Sequence, residues 1–422
     1  MRKFFIFLTV VVSLFVSFSS YAAELSLDDC IKLTFENNPS LKAQLNDLEA
    51  AKYSYLTSLN SYLPKVNLSH SFSKSGGDGR DTSSNFSLSA SVSQNIFDYS
   101  SISNIRTSKL SYEMQQINYE NYLVGLRQDL YNAFFTLLFA QEYVKVNENI
   151  VNIRKNNADL ITLKYQSGFE SKGDMLYAVA QYEMSKLNLS KAKRQLRISS
   201  NNLKSIMGVS MNDDITLKYA INIDSNPLEL SDIESYVRSN PKYKNYQKSI
   251  MLAEEKLKNS ENEWFPKLTF SASDGLSGKS EFPDNNSWSV GLSLSMPIFS
   301  SGVTYHKNNK SMLEESLKST QEELNAYVIT LSNSIKSSYE EYINSIDTAN
   351  TYKVLLAANE ERYKEAEVKY MAGKMSYIDL ENIEQNLIDS NQNYNNYLQN
   401  VYLKKVAFES LLNKKLSKIE ER

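Results

Sequence analysis

The sequence predicts a mixed fold of two tandem repeats, in which long antiparallel coiled-coil helices accompany a membrane β-barrel. Two motifs of similar sequence support the repeats, because KYQSGFESKGD begins at Lys164 and KYMAGKMSYID begins at Lys369, 205 residues later. Alternation of polar and apolar residues predicts strands. Apolar residues at heptad spacing, in stretches poor in Gly and Pro, predict the long helices.

The first segment has the pattern of an export signal. Arg2 and Lys3 precede an apolar run from Phe4 to Phe18, and small residues follow up to Ala23. This order predicts a secretory signal peptide over residues 1–23. A membrane anchor is the alternative, but the run is shorter than the roughly 20 residues that cross a bilayer as a helix.

The rest of the chain divides into a first repeat, 24–225, and a second repeat, 226–422. NNPSLKAQ from Asn37 matches SNPKYKNY from Ser239, and the distance of 202 residues also separates LPKV from FPKL and QNIF from MPIF. After Phe299 the distance becomes 205 residues. A distance that stays constant over such long stretches indicates an internal duplication.

Each repeat is predicted to begin with a helix and continue with a β-hairpin. The helices are expected roughly over 26–61 and 230–262, each interrupted at an Asn-Pro pair. The hairpins are expected at about 64–97 and 266–299, with strands of about 9–11 residues that have one apolar face and one face of Ser, Thr and Asn. Polar loops are expected over 74–84 and 274–286.

A long helical hairpin is predicted to complete each repeat. Two apolar stripes of equal spacing begin the hairpins: Leu123, Leu126, Leu130, Phe134 and Leu137, and Val328, Leu331, Ile335, Tyr339 and Tyr342. Two heptad stripes end them: Met175, Tyr182, Leu189, Leu196 and Leu203, and Leu380, Leu387, Tyr394, Val401 and Phe408. No Gly or Pro occurs from about 303 to 369, which predicts a rod of about 100 Å.

The two similar motifs are predicted to form the hairpin tips, at 165–174 and 370–379. Gly168 and Gly373 can adopt the left-handed conformation that ends a helix. Ser171 and Ser376 can cap the next helix, and Asp174 and Asp379 then fall in its first turn, where the helix dipole favours negative charge.

Four strands with one apolar face suit either a soluble sandwich or an outer membrane, where that face contacts lipid. In lipid every backbone polar group must be paired, so the sheet must close, and four strands are too few to close alone. Several copies are therefore expected to share one barrel around a polar bore. The alternative is an exported coiled-coil scaffold or adhesin without a pore.

Enzymatic and nucleic-acid functions are not expected. The formal net charge is −3 and no long basic block occurs, which argues against nucleic acid as a partner. The two histidines, His70 and His306, have no second ligand at metal-binding spacing. No phosphate loop or nucleophile motif is present, so no catalytic residue, metal or cofactor is predicted. The single cysteine, Cys30, is expected to be a small packed residue.

The order of these features resembles the TolC-type outer membrane efflux protein family. The resemblance rests on the signal peptide, the two halves, LPKV before a hairpin, QNIF and MPIF after it, and Tyr-x-x-Gly between long helices. It implies a homotrimer with a shared twelve-strand barrel in outer membrane lipid and a periplasmic helical tunnel. It also implies a periplasmic adaptor and an inner-membrane transporter as partners, for efflux or type I secretion.

The resemblance also implies site residues at the tips. Asp174 and Tyr370 fall on positions of a polar link that closes the periplasmic end, and Asp379 falls on an acidic ring. The tips around Gly168, Ser171, Gly373 and Ser376 are implied to dock the adaptor.

The chain departs from this family pattern at two positions. Met375 replaces the basic link residue, which leaves Lys374 as a possible substitute, and Asn382 replaces the second acidic ring. Helix capping by the two aspartates and coiled-coil packing of Tyr165 and Tyr370 remain open as alternatives.

Overall fold

The computed structural model describes residues 23–210, 215–223, 230, 232–281, 283–298, 301–302 and 304–417. The predicted signal peptide lies outside these residues except for Ala23, and the predicted boundary at 225/226 also lies outside them. The first half contains β1 (Ala23–Leu25), α1 (Leu27–Asn37), α2 (Pro39–Ser58), β2 (Lys65–Gly77), β3 (Arg80–Phe97), α3 (Tyr99–Gln166) and α4 (Lys172–Met207). Strand β4 (Ile215–Leu217) follows at the end of the first half, and the second half contains α5 (Ile233–Ser239), α6 (Pro241–Glu261), β5 (Lys267–Gly278), β6 (Asn285–Ser295), α7 (Tyr305–Met371) and α8 (Tyr377–Leu411).

The predicted breaks at the Asn-Pro pairs are confirmed, and each break starts a new helix. Asn38 accepts a hydrogen bond from the N–H of Leu41 at 2.7 Å, and Pro39 is the first residue of α2. Asn240 caps α6 in the same way, with Pro241 as its first residue. Proline suits this position because its missing N–H has no partner inside a helix anyway.

The four long strands form one antiparallel sheet in the order β2-β3-β5-β6. One row across the sheet joins Val66, Val92, Ala272 and Val290, and the next joins Asn67, Ser91, Ser273 and Ser289. The predicted separation of an apolar face from a polar face is therefore confirmed. The described residues do not cover the apolar face, since Val66 is 72% exposed and Val290 is 63% exposed.

The predicted strand length of about 9–11 residues fits β6, which has 11, but is too short for the other three strands, and the predicted loops were too long. Strands β2, β3 and β5 have 13, 18 and 12 residues, and pairing extends to Ser75 opposite Ser83 and to Ser277 opposite Asn285. The predicted polar loops 74–84 and 274–286 are mostly strand, because the backbone ladder continues where Ser and Gly replace the apolar residues. Among the described residues, the turns occupy 78–79, 279–281 and 283–284.

The long helices lie side by side in a single layer. Helix α4 packs on α3, α3 on α8, and α8 on α7. Nearer the strands, α2 packs on α3, α3 on α6, and α6 on α7. Helices α3 and α7 have 68 and 67 residues, so each is about 100 Å long, as predicted. In the described part of the chain, no helix has an apolar stretch long enough to cross a membrane.

Apolar packing holds the layer together most strongly halfway along the long helices. Residues of α1, α3, α4 and α8 meet there around Leu130, Phe134, Met207 and Tyr402. Each such side chain contributes about 1.5–3 kcal/mol by leaving water. Cys30 belongs to this core, as predicted, and burial raises the pKa of its thiol to about 12. The parallel pair of β1 and β4 beside it was not predicted, because three residues are too few for an alternation signal.

Of the two heptad stripes predicted to be buried, the one on α4 is less accurate than the one on α8. Of its five residues only Leu203 is buried, and Met175, Tyr182, Leu189 and Leu196 are half-buried. The buried positions are small and also heptad-spaced: Ala178, Ser185, Ala192 and Ser199. Small side chains let α4 approach α3 closely, so larger neighbours remain at the margin. On α8 the predicted stripe is buried except for the half-buried Tyr394.

Candidate functional site

Both hairpin tips end and restart their helices as predicted. Gly168 and Gly373 have φ of +78° and +71°, a left-handed conformation that L side chains rarely adopt. Ser171 accepts a hydrogen bond from the N–H of Asp174 at 3.0 Å, and its hydroxyl donates to the Asp174 carboxylate at 2.6 Å. Ser376 makes the same two bonds, so the helix-capping alternative holds at both tips.

The second of these caps involves Asp379. Its N–H donates to the Ser376 hydroxyl at 3.2 Å, and its carboxylate accepts from that hydroxyl at 2.6 Å. Asp379 and Asn382 are both exposed on α8. The ring position implied for Asp379 concerns an assembled bore and remains a prediction.

A polar link joins the two hairpins at their tips, and Tyr370 is its centre. The Tyr370 side chain is buried, with 1% exposure, and its hydroxyl donates to a carboxylate oxygen of Glu170 at 2.7 Å. The Lys164 ammonium lies 3.6 Å from the centre of the Tyr370 ring and donates to the Tyr370 carbonyl at 3.1 Å. An acid and a base of the first hairpin therefore hold one tyrosine of the second.

Sequence reasoning missed two residues of this link. Glu170 provides the acid expected from Asp174, and Lys164 provides a base where Met375 gives none. Lys374 makes no side-chain ion pair within the described residues. Glu170 and Lys164 both lie in or beside the quoted motif, but only the lateral packing of the two hairpins shows that they face Tyr370.

An apolar cluster encloses the ring of Tyr370, so the packing alternative also holds for this residue. Its buried members are Ala158, Ile161, Ala178, Ala366, Tyr370, Tyr377 and Leu380. Met375 packs against the cluster, which explains how an apolar residue fits at the departing position. Burial, followed by the Glu170 hydrogen bond and charge, raises the pKa of Tyr370. The phenol therefore remains a neutral donor.

A second, more deeply buried polar cluster joins the hairpins farther from the tips. The Arg154 Nε of α3 lies 2.9 Å from a carboxylate oxygen of Glu384 on α8, and both side chains are at most 5% exposed. Asn157 donates to the other oxygen of Glu384, and Arg154 donates to Gln385 at 2.6 Å. Burial raises the pKa of Glu384, while Arg154 and Asn157 oppose that shift. Arg154 is ten residues before Lys164, about 15 Å along the helix.

The Arg154 cluster is not duplicated in the other half. The positions 205 residues away from Arg154 and Glu384 are Asn359 and Val179. Asn359 instead donates to Ser390 within its own hairpin at 2.5 Å. The Arg154–Glu384 ion pair is thus specific to the contact of α3 with α8.

A second buried ion pair lies at the far end of the same α3–α8 contact. Arg127 donates to Glu409 at 2.6 Å and Lys414 donates to its other oxygen at 2.7 Å. Burial opposes ionisation of Glu409, but the hydrogen bonds from Lys414 and Arg127 outweigh it and lower the pKa.

The polar face of the sheet is lined by hydroxyl groups. Ser69 and Ser89 lie 2.8 Å apart across two strands, and Ser273 and Ser289 lie 2.9 Å apart. The opposite face exposes large apolar side chains, including Trp288 at 75% exposure. A sheet with one water-compatible face, rich in hydroxyl groups, and one uncovered apolar face suits the boundary between lipid and an aqueous bore.

Within the described ranges, no group of three or more His, Cys, Asp or Glu residues is placed to hold a metal ion. The uncovered sheet face and the linked helical hairpins are typical of a membrane-anchored channel protein.

A model of the outer membrane efflux protein family matches residues 30–209 and 233–414, and the chain belongs to that family. It is therefore an outer membrane exit duct with a periplasmic helical extension. The two separate matches agree with the two repeats. The alternative of a scaffold or adhesin without a pore is set aside.

Relatives and solved structures agree with this assignment. Outer membrane protein TolC of Escherichia coli is 22% identical over 424 residues, covering 96% of this chain and 86% of the relative. Alkaline protease secretion protein AprF of Pseudomonas aeruginosa is 19% identical, covering 87% and 80%. The Campylobacter jejuni CmeC outer membrane channel has the same fold, with a TM-score of 0.80, 16% identity and coverage of 94% and 87%.

Proposed function

We propose that three copies of this chain form one closed duct that passes cargo outward without making or breaking bonds. In this proposal the strands build a twelve-strand barrel in outer membrane lipid, and the helices build a periplasmic tunnel. A periplasmic adaptor and an inner-membrane transporter supply the cargo, for efflux or for type I secretion; the name of AprF, an alkaline protease secretion protein, suggests a protein cargo.

This proposal rests on one observation: the sheet and the helical layer each end in two edges that no other element of the described chain covers. The sheet ends in β2 on one side and β6 on the other, and the helical layer ends in α4 and α7. Unpaired strand edges are not stable in lipid, so the edges must meet those of other copies. Contacts between two different edges close into rings when the rotation allows it.

The tip link is proposed to hold the duct closed at its periplasmic end. Tyr370, Glu170 and Lys164 join the two hairpins of one copy, so opening by hairpin separation must break their contacts. Asp174 and Asp379 are proposed to add negative charge near the constriction. Their cap bonds to Ser171 and Ser376 are compatible with this role, because a carboxylate can accept further bonds.

The adaptor is proposed to dock at the tips around Gly168, Ser171, Gly373 and Ser376. The loops there are short and capped, and Phe169, which lies between Gly168 and Ser171 in the first tip, is 80% exposed. An uncovered aromatic side chain at the end of a rigid hairpin suits a protein partner.

The test is to isolate the protein from outer membranes and measure its assembly and conductance. We expect a heat-modifiable trimer that conducts ions in a planar bilayer, and loss of drug tolerance or of protein export when the gene is deleted. A monomer found only in the soluble periplasmic fraction, with no conductance, contradicts the proposal.

A further inference from the structure

The two β-hairpins repeat one another in register as well as in order. Lys65 pairs with Ser93 in the first hairpin, and Lys267 pairs with Ser295 in the second. Each residue of the second pair lies 202 residues after its counterpart. The duplication therefore preserves the strand pairing itself, so a known contact between the halves can predict its counterpart between copies.

The contact between the halves is the pairing of β3 with β5, which we call the internal seam. In it Ser93 lies opposite Ser271, and Val92 lies opposite Ala272. The counterpart of β3 is β6, and the counterpart of β5 is β2, the two free edges of the sheet. Moving Ser93 forward by 202 gives Ser295, and moving Ser271 back by 202 gives Ser69.

We infer that β6 of one copy pairs antiparallel with β2 of a second copy so that Ser295 lies opposite Ser69. Ser293 then lies opposite Ser71, and Leu292 lies opposite Phe72. This inference rests on the proposed function, because it assumes that copies close the sheet. We call this contact the copy seam.

The side chains at the copy seam agree with this register. Serines meet serines on the polar face, and Leu292 meets Phe72 on the apolar face. A slip of one residue places apolar residues in the bore and serines in lipid. A slip of two residues leaves every side chain on the same face of the sheet. The chemistry of the faces therefore does not distinguish such registers, and the choice among them rests on the repeat and needs a direct test.

The surface beside the helix-proximal ends of the strands is compatible with the same pairing. At the internal seam Phe265 contacts Tyr99, with ring centroids 5.4 Å apart. The counterpart of Phe265 is Leu63, which is 55% exposed. The opposite edge carries a groove of about 590 Å³ lined in part by Trp264 and Met296. The copy seam brings Leu63 of the second copy to this groove.

The helices agree as well. The counterpart of the α3–α8 contact is a contact of α7 with α4 of the second copy. Apolar side chains are uncovered on both of these outer helices: Leu176, Leu187 and Ile198 on α4, and Val354, Leu355 and Val368 on α7. Both outer helices therefore leave apolar side chains uncovered in a single copy, as a contact between copies requires.

The test is disulfide formation between introduced cysteines in assembled protein in outer membranes. The in-register variant is Ser71→Cys/Ser293→Cys, and the matched controls replace Ser71→Cys by Ser69→Cys or Ser73→Cys. All are made with Cys30→Ala. Directly opposite residues lie within disulfide range, whereas diagonal neighbours are about 7–8 Å apart.

We expect the in-register variant to form covalent dimers and trimers at least about 10-fold faster than either control under a mild oxidant, because only its cysteines meet disulfide geometry. The two cysteines of one copy cannot react together, since β2 and β6 are three strand spacings apart, about 14 Å. Covalent multimers on a denaturing gel therefore report the copy seam alone.

Faster linkage in either control overturns the inferred register. Failure of all three variants to link, in channels that still assemble and conduct, overturns the inference and leaves the proposed function standing. Failure of the protein with native serines to assemble or conduct contradicts the proposed function instead.

Discussion

The hydroxyl of Tyr370 offers the sharpest test of the proposed gate. Tyr370→Phe removes the 2.7 Å hydrogen bond to Glu170 and keeps the ring inside its apolar cluster. Hydrogen bonds to charged groups contribute about 1.5–3 kcal/mol, and the half-buried Glu170 recovers water on its release. We therefore expect the lower value, about 1.5 kcal/mol in each copy, which is about a 10-fold change in the equilibrium.

The expected result is a shift toward the open duct. If each copy opens independently, the ratio of open to closed states rises about 10-fold, and if three copies open together the factors multiply to about 1,000-fold. The measurement is the open fraction of single channels in planar bilayers at fixed voltage and salt. It is made on trimers whose thermal stability matches that of the native protein.

Tyr165→Phe is the matched control, because Tyr165 holds the equivalent position in the first hairpin. Its side chain is half-buried, and its hydroxyl has no hydrogen bond to the described residues. We expect its open fraction to equal that of the native protein. An unchanged open fraction in Tyr370→Phe, or an equal increase in both variants, refutes the assignment of the link as a gate.

Three further outcomes are expected. Arg154→Met should lower the free energy of unfolding by about 3–5 kcal/mol because it leaves Glu384 buried and unpaired, and Arg154→Met/Glu384→Leu should recover most of the loss in thermal denaturation followed by circular dichroism. Because the pKa of Glu409 is lowered in the folded protein, its carboxylate stabilises the fold above the unfolded pKa of about 4.3, and this stabilisation is lost as pH falls through the folded pKa. The melting temperature of Glu409→Gln should therefore depend less on pH below about 5 than that of the native protein. Gly168→Val/Gly373→Val should impair transport and leave membrane insertion intact, because both residues have positive φ, whereas Asn at both sites should retain transport since it tolerates that conformation.

Features that depend on local periodicity could be predicted from the sequence. The two faces of the sheet follow from alternation, and the capped tips follow from a glycine with a serine three residues later. The Asn-Pro breaks follow from the restricted backbone of proline. The strand ends could not be predicted, because pairing through Ser75 and Ser277 needs no apolar side chain.

The acid and base of the tip link and the buried ion pairs could not be predicted from local patterns, because they join residues 200 to 282 positions apart. Glu170 and Lys164 resemble ordinary charges beside a turn, and Arg154 resembles a solvated charge on a helix. One signal was available, since the duplication pairs Arg154 with Asn359 and Glu384 with Val179. A charge that appears in only one half can mark a contact made by that half alone.

The uncovered edges and apolar face of the sheet have a consequence for biogenesis. Leu68, Trp288 and Leu294 are each at least 70% exposed in a single copy, beside backbone groups that lack partners at β2 and β6. Such a surface is prone to aggregate in water. A newly exported chain should therefore need a holding chaperone on its way across the periplasm, and its folding should finish only when it meets its sister chains at the bilayer.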